Sequence, residues 1–169
     1  MSPGADYLTL TDDALVAQCS VDHYRASGPG GQKRNKTSSA VRLRHHPTGL
    51  SVTASDERYQ SVNRVRAMRR LREAIALHVR ATDGSSPSEL LRSVTTTAGG
   101  IRISAKNEDY FKVVQEVLDT LAACAMRVRD AAERLGISTS HLVKFIESDP
   151  KVWDRANQMR SEAGLKTLR

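Results

Sequence analysis

Residues 25 to 35, Arg25-Ala-Ser-Gly-Pro-Gly-Gly-Gln-Lys-Arg-Asn35, bring an adjacent glycine pair, one carboxamide and a run of cations into a single short stretch. Three glycines and a proline over residues 28–31 hold neither a helix nor a central strand, so a loop with a small-residue tip is expected. Gly30 and Gly31 let the backbone approach a reacting group closely. Gln32 adds a backbone N–H, able to donate to a developing oxyanion, and a carboxamide able to order or screen a water. Lys33, Arg34 and Lys36 suit the flanks to a narrow, negatively charged place. A glycine pair taken alone is most simply a surface hairpin with solvated cations. His45 and His46 offer less chemistry, because adjacent strand residues face opposite sides and do not make a two-ligand metal site.

The flanks decide between these readings. Downstream lie Ser39-Ala-Val-Arg42, His45-His-Pro-Thr-Gly49, Glu57-Arg-Tyr-Gln60 and Asn63-Arg64, followed by a long basic segment. Together with Arg25, Ser27, Gly28, Gly30, Gly31, Gln32 and Asn35, residues 25–72 resemble the catalytic domain of the class 1 peptide chain release factor family, including its codon-independent ribosome-rescue members. Val41, Pro47, Thr48, Arg58 and Ala67 also match. Tyr59 departs from the pattern, since that family commonly has a serine there.

The resemblance implies ribosome-dependent hydrolysis of the peptidyl-tRNA ester, with Gly30, Gly31 and Gln32 as the catalytic tripeptide. It implies that the loop works in the peptidyl-transferase centre, where the backbone amide of Gln32 stabilises the product or transition state and ribosomal RNA supplies most of the remaining site. Its partners are then the ribosome, through large-subunit RNA, and peptidyl-tRNA, with no cofactor, no metal and no membrane. Arg25, Lys33, Arg34, Lys36, Arg58, Arg64, Arg66, Arg69 and Arg70 are the expected RNA-binding residues, acting through phosphates or by bracing the loop. Only 24 residues precede Arg25, and the tripeptides by which the family reads stop codons are not found. Codon-independent rescue of stalled ribosomes is therefore the expectation. Two other classes compete: a non-hydrolytic ribosome- or RNA-binding quality-control factor, and a helix-turn-helix transcription regulator.

The charge distribution agrees with a polyanionic partner. Net charge is +7 overall, yet residues 25–80 hold 13 Lys+Arg against 3 Asp+Glu, and the remaining 113 residues hold 13 against 16. A basic block confined to one segment is an electrostatic footprint for RNA or DNA. An aromatic share of 4% argues against a base-stacking surface of the kind single-strand binders use. Cys19 and Cys124 are too few and too far apart for a disulfide framework, and are expected as buried thiols in a reducing cytoplasm. No signal-peptide pattern and no apolar run of about 20 residues is present, so a soluble cytoplasmic protein is expected.

The elements that must position the loop follow from periodicity. Thr11-Asp-Asp13 starts a short helix with Ala14, Leu15, Val16 and Cys19 as its apolar face. Val21 to Arg25 alternates as a strand, Val41 and Leu43 alternate with Arg42 and Arg44, Pro47-Thr-Gly49 turns, and Leu50 to Thr53 returns antiparallel. Val62, Val65, Met68, Leu71, Ile75 and Val79 then repeat every three or four residues, marking a long helix packed on the small sheet. Arg64, Arg66, Arg69, Arg70 and Arg72 occupy its other faces, toward solvent or phosphate.

The predicted fold class is thus α+β: a small antiparallel sheet on a long basic helix with an extended glycine-glycine-glutamine loop, then a small, mostly helical C-terminal unit. Residues 1–80 form the catalytic domain, 81–100 a linker rich in Gly, Ser and Thr with one turn of helix near Glu89 to Arg92, and 101–169 the helical unit. There Ile101 to Ile103 reads as a short strand. Tyr110, Val114, Val117, Leu118, Leu121 and Ala125 mark a long helix, and Ala131 to Leu142 resembles a helix-turn-helix around Gly136 and Ser138. His141 and Lys144 against Glu147 and Asp149 make a poor reader of base edges, which favours packing or ribosome docking. Asp149-Pro150 opens a last helix, with Trp153 expected in the core.

Overall fold

A computed structural model describes residues 6–24, 39–81 and 87–168. The loop residues Arg25, Gly30, Gly31, Gln32, Lys33, Arg34 and Lys36 lie outside the described residues. Two compact units divide between Ile75 and Ala76.

The first unit opens with a 3-10 turn, Tyr7–Thr9, and helix α1, Asp12–Val16. The Thr11 hydroxyl accepts from the N–H of Ala14, the N-cap expected of a threonine before two acidic residues. Three strands follow: β1 Cys19–Tyr24, β2 Ala40–His45 and β3 Ser51–Ala54, in antiparallel order β1-β2-β3. Val21 faces Leu43 and Val41 faces Ala54 across the ladders. Along β2, Val41, Leu43 and His45 are fully buried while Arg42 and Arg44 face out, the alternation that a one-sided sheet requires. Gly49 closes the β2–β3 turn at φ +71°, a conformation that admits glycine cheaply, and its N–H donates to the His45 carbonyl.

Helix α2, Gln60–His78, packs its first-unit part on this sheet. Its buried stripe is Asn63, Ala67, Met68, Leu71 and Ile75. That corrects the predicted apolar face at its start: Val62 is 39% and Val65 70% exposed. The row Asn63-Ala67-Leu71-Ile75 advances by four residues each time and stays on one side, whereas Val62 and Val65 fall on the opposite one. A polar residue takes the inward place because its amide finds three backbone partners there.

The second unit takes the end of α2 and four further helices in sequence after a short one: α3 Glu89–Val94, α4 Tyr110–Ala123, α5 Val128–Leu135, α6 Thr139–Glu147 and α7 Pro150–Glu162. Ser88 caps α3, its own N–H and hydroxyl both donating to the Glu116 carboxylate, and Leu91 is fully buried. The interval read as a linker therefore contains an anchored helix. In place of a strand over 101–103 there is an isolated bridge between Thr95 and Ile101.

Helix α4 is buried on most sides, including Gln115, Asp119 and Thr120. It stops at Ala123, so Ala125 lies outside it, and positive φ at Ala125 and Met126 turns the chain into α5. Gly136, at φ +70°, ends α5, and the Ser138 hydroxyl accepts from His141 N–H to start α6, the helix-turn-helix grammar expected of this stretch. Trp153 on α7 is half-buried while Val152, Ala156 and Met159 fill the core from the same helix. Cys124 is buried, but Cys19 is only part-buried, because it stands on an edge strand.

Candidate functional site

The sheet holds both ends of the interval 25–38, and α2 reaches the returning end. Tyr24, the last residue of β1, pairs with Ala40, the first of β2, so the chain leaves and re-enters the sheet at the same end. Asn63 secures the re-entry point. Its side-chain amide donates to the Ser39 carbonyl at 2.7 Å and to the Glu57 carbonyl at 2.9 Å, and its oxygen accepts from the Glu57 N–H at 3.0 Å. One fully buried carboxamide thus joins three stretches of chain: the return from the segment, the turn after β3 and the first turn of α2. The sequence matched Asn63 to a family pattern but assigned it no task. The available signal was a residue of low helix propensity placed four residues before Ala67 on what proves to be the inward row.

The basic face of α2 is organised around the same turn. Arg66 pairs with Glu57 and lies 3.7 Å from Asp56, and Arg70 pairs with Asp56 at 2.5 Å while donating to the Thr53 carbonyl. All are partly solvated, so their net worth is small and their effect is to fix the turn. Arg64 is exposed and has no carboxylate within ion-pair distance among the described residues. Arg69 is also exposed. The Arg58 guanidinium lies 5.7 Å from the centroid of the Tyr59 ring, and Tyr59 is 63% exposed.

Arg72 is different. It donates to Asp12 and to the carbonyls of Leu8 and Leu10, tying the N-terminal turn to α2. It is a structural arginine, not a cation left to solvent or phosphate, because its donors are spent on Asp12 and on backbone carbonyls of the N-terminal turn.

His45 is structural as well. Its ring is fully buried, Nδ1 hydrogen-bonds the Thr48 hydroxyl at 2.8 Å, Nε2 meets the Gln18 side-chain oxygen at 3.2 Å, and Tyr7 packs edge-on at 4.8 Å. Burial, and secondarily the neighbouring His46, holds its pKa below the ordinary 6.5. The ring is neutral at pH 7 and ties the β2–β3 turn to the residue before β1. His46 faces the other way and meets the Ser20 hydroxyl. Among the described residues, no group of three His, Cys, Asp or Glu side chains is placed to hold a metal, and no helix is long and apolar enough to cross a membrane.

In the second unit, His141 is half-buried, its Nδ1 at 3.0 Å from the Ser138 hydroxyl. Its ring lies beside Gly99 and Gly100, where an added Cβ would meet ring atoms at 3.7 and 3.5 Å. It is committed to the cap and the neighbouring turn, not presented for base reading.

A sequence model of the RF-1 domain matches residues 15–118. The chain is 31% identical over 155 residues to peptide chain release factor 2 of Acidothermus cellulolyticus, covering 92% of this chain and 38% of that protein. It is 34% identical over 136 residues to peptide chain release factor 1 of Chlorobaculum tepidum, covering 71% and 38%. Over a shorter stretch of 55 residues, 32% of this chain and 15% of the relative, identity to peptide chain release factor 1 of Limosilactobacillus reuteri reaches 58%. The chain thus spans less than two fifths of the length of these relatives. With a three-stranded sheet on a long helix and the model match running through both, the chain belongs to the RF-1 domain family.

Proposed function

We propose that the chain hydrolyses the ester of peptidyl-tRNA on the ribosome, without reading a codon, and that its setting is the rescue of stalled ribosomes. The observation that carries this is the framing of residues 25–38: the Tyr24–Ala40 pair fixes both ends at one end of the β1–β2 ladder, Asn63 holds the return, and the sequence framed in this way contains Gly30-Gly31-Gln32. A binding module has no need of that tripeptide at such a place. Ester cleavage passes through a tetrahedral oxyanion and needs one donor and one positioned water. In this reading the Gln32 N–H is the donor, its carboxamide orders the water, and Gly30 and Gly31 permit close approach. Ribosomal RNA supplies the rest, and no cofactor or metal is used. Arg25, Lys33, Arg34, Lys36, Arg58, Arg64, Arg66, Arg69 and Arg70 meet RNA phosphates. Residues 1–80 do the chemistry, residues 101–169 place them, and the protein works in the cytoplasm.

Peptide release from ribosomes carrying peptidyl-tRNA is the test. Gln32→Pro deletes the backbone N–H and is expected to slow release by about 10²–10³-fold, the loss typical of one oxyanion donor. Gln32→Ala keeps the N–H but loses the water-ordering group, and release should also fall while ribosome binding stays within a few-fold. Undiminished release by both variants overturns the Gln32 mechanism, and absence of release by the parent leaves only the binding reading. Comparing messages truncated in the decoding site with messages presenting stop or sense codons there tests codon independence, for which truncated messages should support release without a stop codon.

A further inference from the structure

Among the described residues the exposed large hydrophobic side chains are Tyr59, Val62 and Val65, and all three sit at the start of one helix. The other described tyrosines are engaged. Tyr7 packs on His45, Tyr24 lies under the Arg42 guanidinium, and Tyr110 packs on Phe111 and donates to Asp149. Tyr59 instead stands on the residue before α2, 63% exposed, with Arg58 against one face of its ring. The stretch around it in sequence is cationic: Arg58, Arg64 and Arg69 stand in excess of Asp56 and Glu57, which Arg70 and Arg66 already pair. Asn63, one turn further on, ties this corner to Ser39 at 2.7 Å. The ring therefore stands at the root of the segment that carries the tripeptide.

We propose that Tyr59, backed by Arg58, is a stacking platform for one unpaired nucleobase of the RNA that the chain meets. This rests on the ribosomal reading above and adds a specific contact to it. An aromatic face backed by a guanidinium attracts any base through its π-face, and the surrounding arginines favour the phosphates on either side of that base. Val62, one turn along the helix, offers apolar surface beside the ring to the edge of the sugar or base. The charge is what selects RNA over an apolar protein surface as the occupant. A single platform is also compatible with a chain that has few aromatic residues, since it requires one ring and not a sheet of them.

The experiment uses the full chain with Tyr59→Ala, Tyr59→Phe and Tyr59→Trp, and reads two quantities: the concentration giving half-maximal peptide release, and sedimentation binding to ribosomes and to protein-free large-subunit RNA. Tyr59→Ala should raise the half-maximal concentration about tenfold or more, within the range typical of one base–aromatic stack. The loss should fall on the half-maximal concentration and not on the rate at saturation. Phe and Trp, which keep the face, should stay within about twofold of the parent. The ring is exposed, so the melting temperature should not move in any of the three. Binding by the Ala variant equal to the parent overturns the platform, as does a Phe variant as weak as Ala, which would assign the contact to the hydroxyl. A loss seen on intact ribosomes but absent on naked RNA overturns it in favour of a protein partner. If the parent releases no peptide, the hydrolase reading fails, and the RNA-binding arms still decide the platform.

Discussion

Asn63 and His45 are two fully buried polar side chains that secure opposite ends of β2, Asn63 beside its start and His45 at its last residue. Removing the Asn63 carboxamide by Asn63→Ala strands the Glu57 N–H and the carbonyls of Ser39 and Glu57. A cost of about 2–4 kcal/mol is expected, because unsatisfied groups forfeit their desolvation on top of the lost bonds. Hydrogen exchange at the start of α2 and of β2 should rise accordingly, with release slowed through displacement of the segment's anchor. His45 makes a prediction about pH. Its folded pKa lies below the ordinary 6.5, so the unfolded chain binds the proton first on acidification. The stability it contributes is complete above pH 6.5 and is lost as pH falls through the folded value. Replacement by Gln should flatten the pH dependence of the first unit's stability below 6.5, measured by urea unfolding at a series of pH values against the parent.

Helix α2 has arginines of two kinds, and they should fail differently. Arg72 serves Asp12 and two carbonyls, so Arg72→Ala should lower stability by about 1–3 kcal/mol while leaving the salt dependence of ribosome binding alone. Arg64 is exposed with no carboxylate partner among the described residues. Arg64→Glu should leave stability within about 0.5 kcal/mol, weaken binding, and reduce the slope of log affinity against log salt by about one or more. Equal salt slopes for the parent and Arg64→Glu would remove this residue from the RNA contact. The separation matters because the sequence shows a helix uniformly rich in arginine, and only the positions of Asp12, Asp56 and Glu57 in space tell anchors from free cations.

For the whole molecule, the last turns of α2 are the place where shortening the chain should do harm. The second unit begins at Ala76. Within it, Gln115 donates to the Val79 carbonyl at 2.9 Å, Arg155 to the Leu77 carbonyl at 3.1 Å, and Arg80 pairs with the fully buried Asp119 at 3.0 Å. Burial brings Arg80 down to about 10, with Asp119 opposing that shift, and it is still charged at pH 7. A chain ending at Ala81 keeps Ala76, Leu77, Val79 and Arg80 but loses every one of these partners. It should express as aggregating protein, and a chain ending at Ile75 should be the more soluble of the two, as light scattering would show. If the chain ending at Ala81 proves monodisperse and as thermally stable as the full chain, residues 76–81 do not depend on the second unit.

Local pattern was enough for much of this. The alternation of Val41 and Leu43 with Arg42 and Arg44, the Pro47–Gly49 turn, the Thr11 cap and the Gly136–Ser138 turn each depend on neighbours within a few residues, so reading them needs no third dimension. The family followed from spaced identities in the same stretch. The inward face of α2 did not, because Val62 and Val65 fit an apolar repeat while Asn63 competes for the core only if Ser39 and Glu57 are there to receive its amide. Nor did the place of Trp153, for which one helix offers several apolar residues and packing fills the core with Val152, Ala156 and Met159. Tyr59 is the same lesson from the other side: its residue type was visible from the start, but its exposure and its position beside the re-entering chain depend on contacts more than twenty residues apart, and only the folded molecule brings those together.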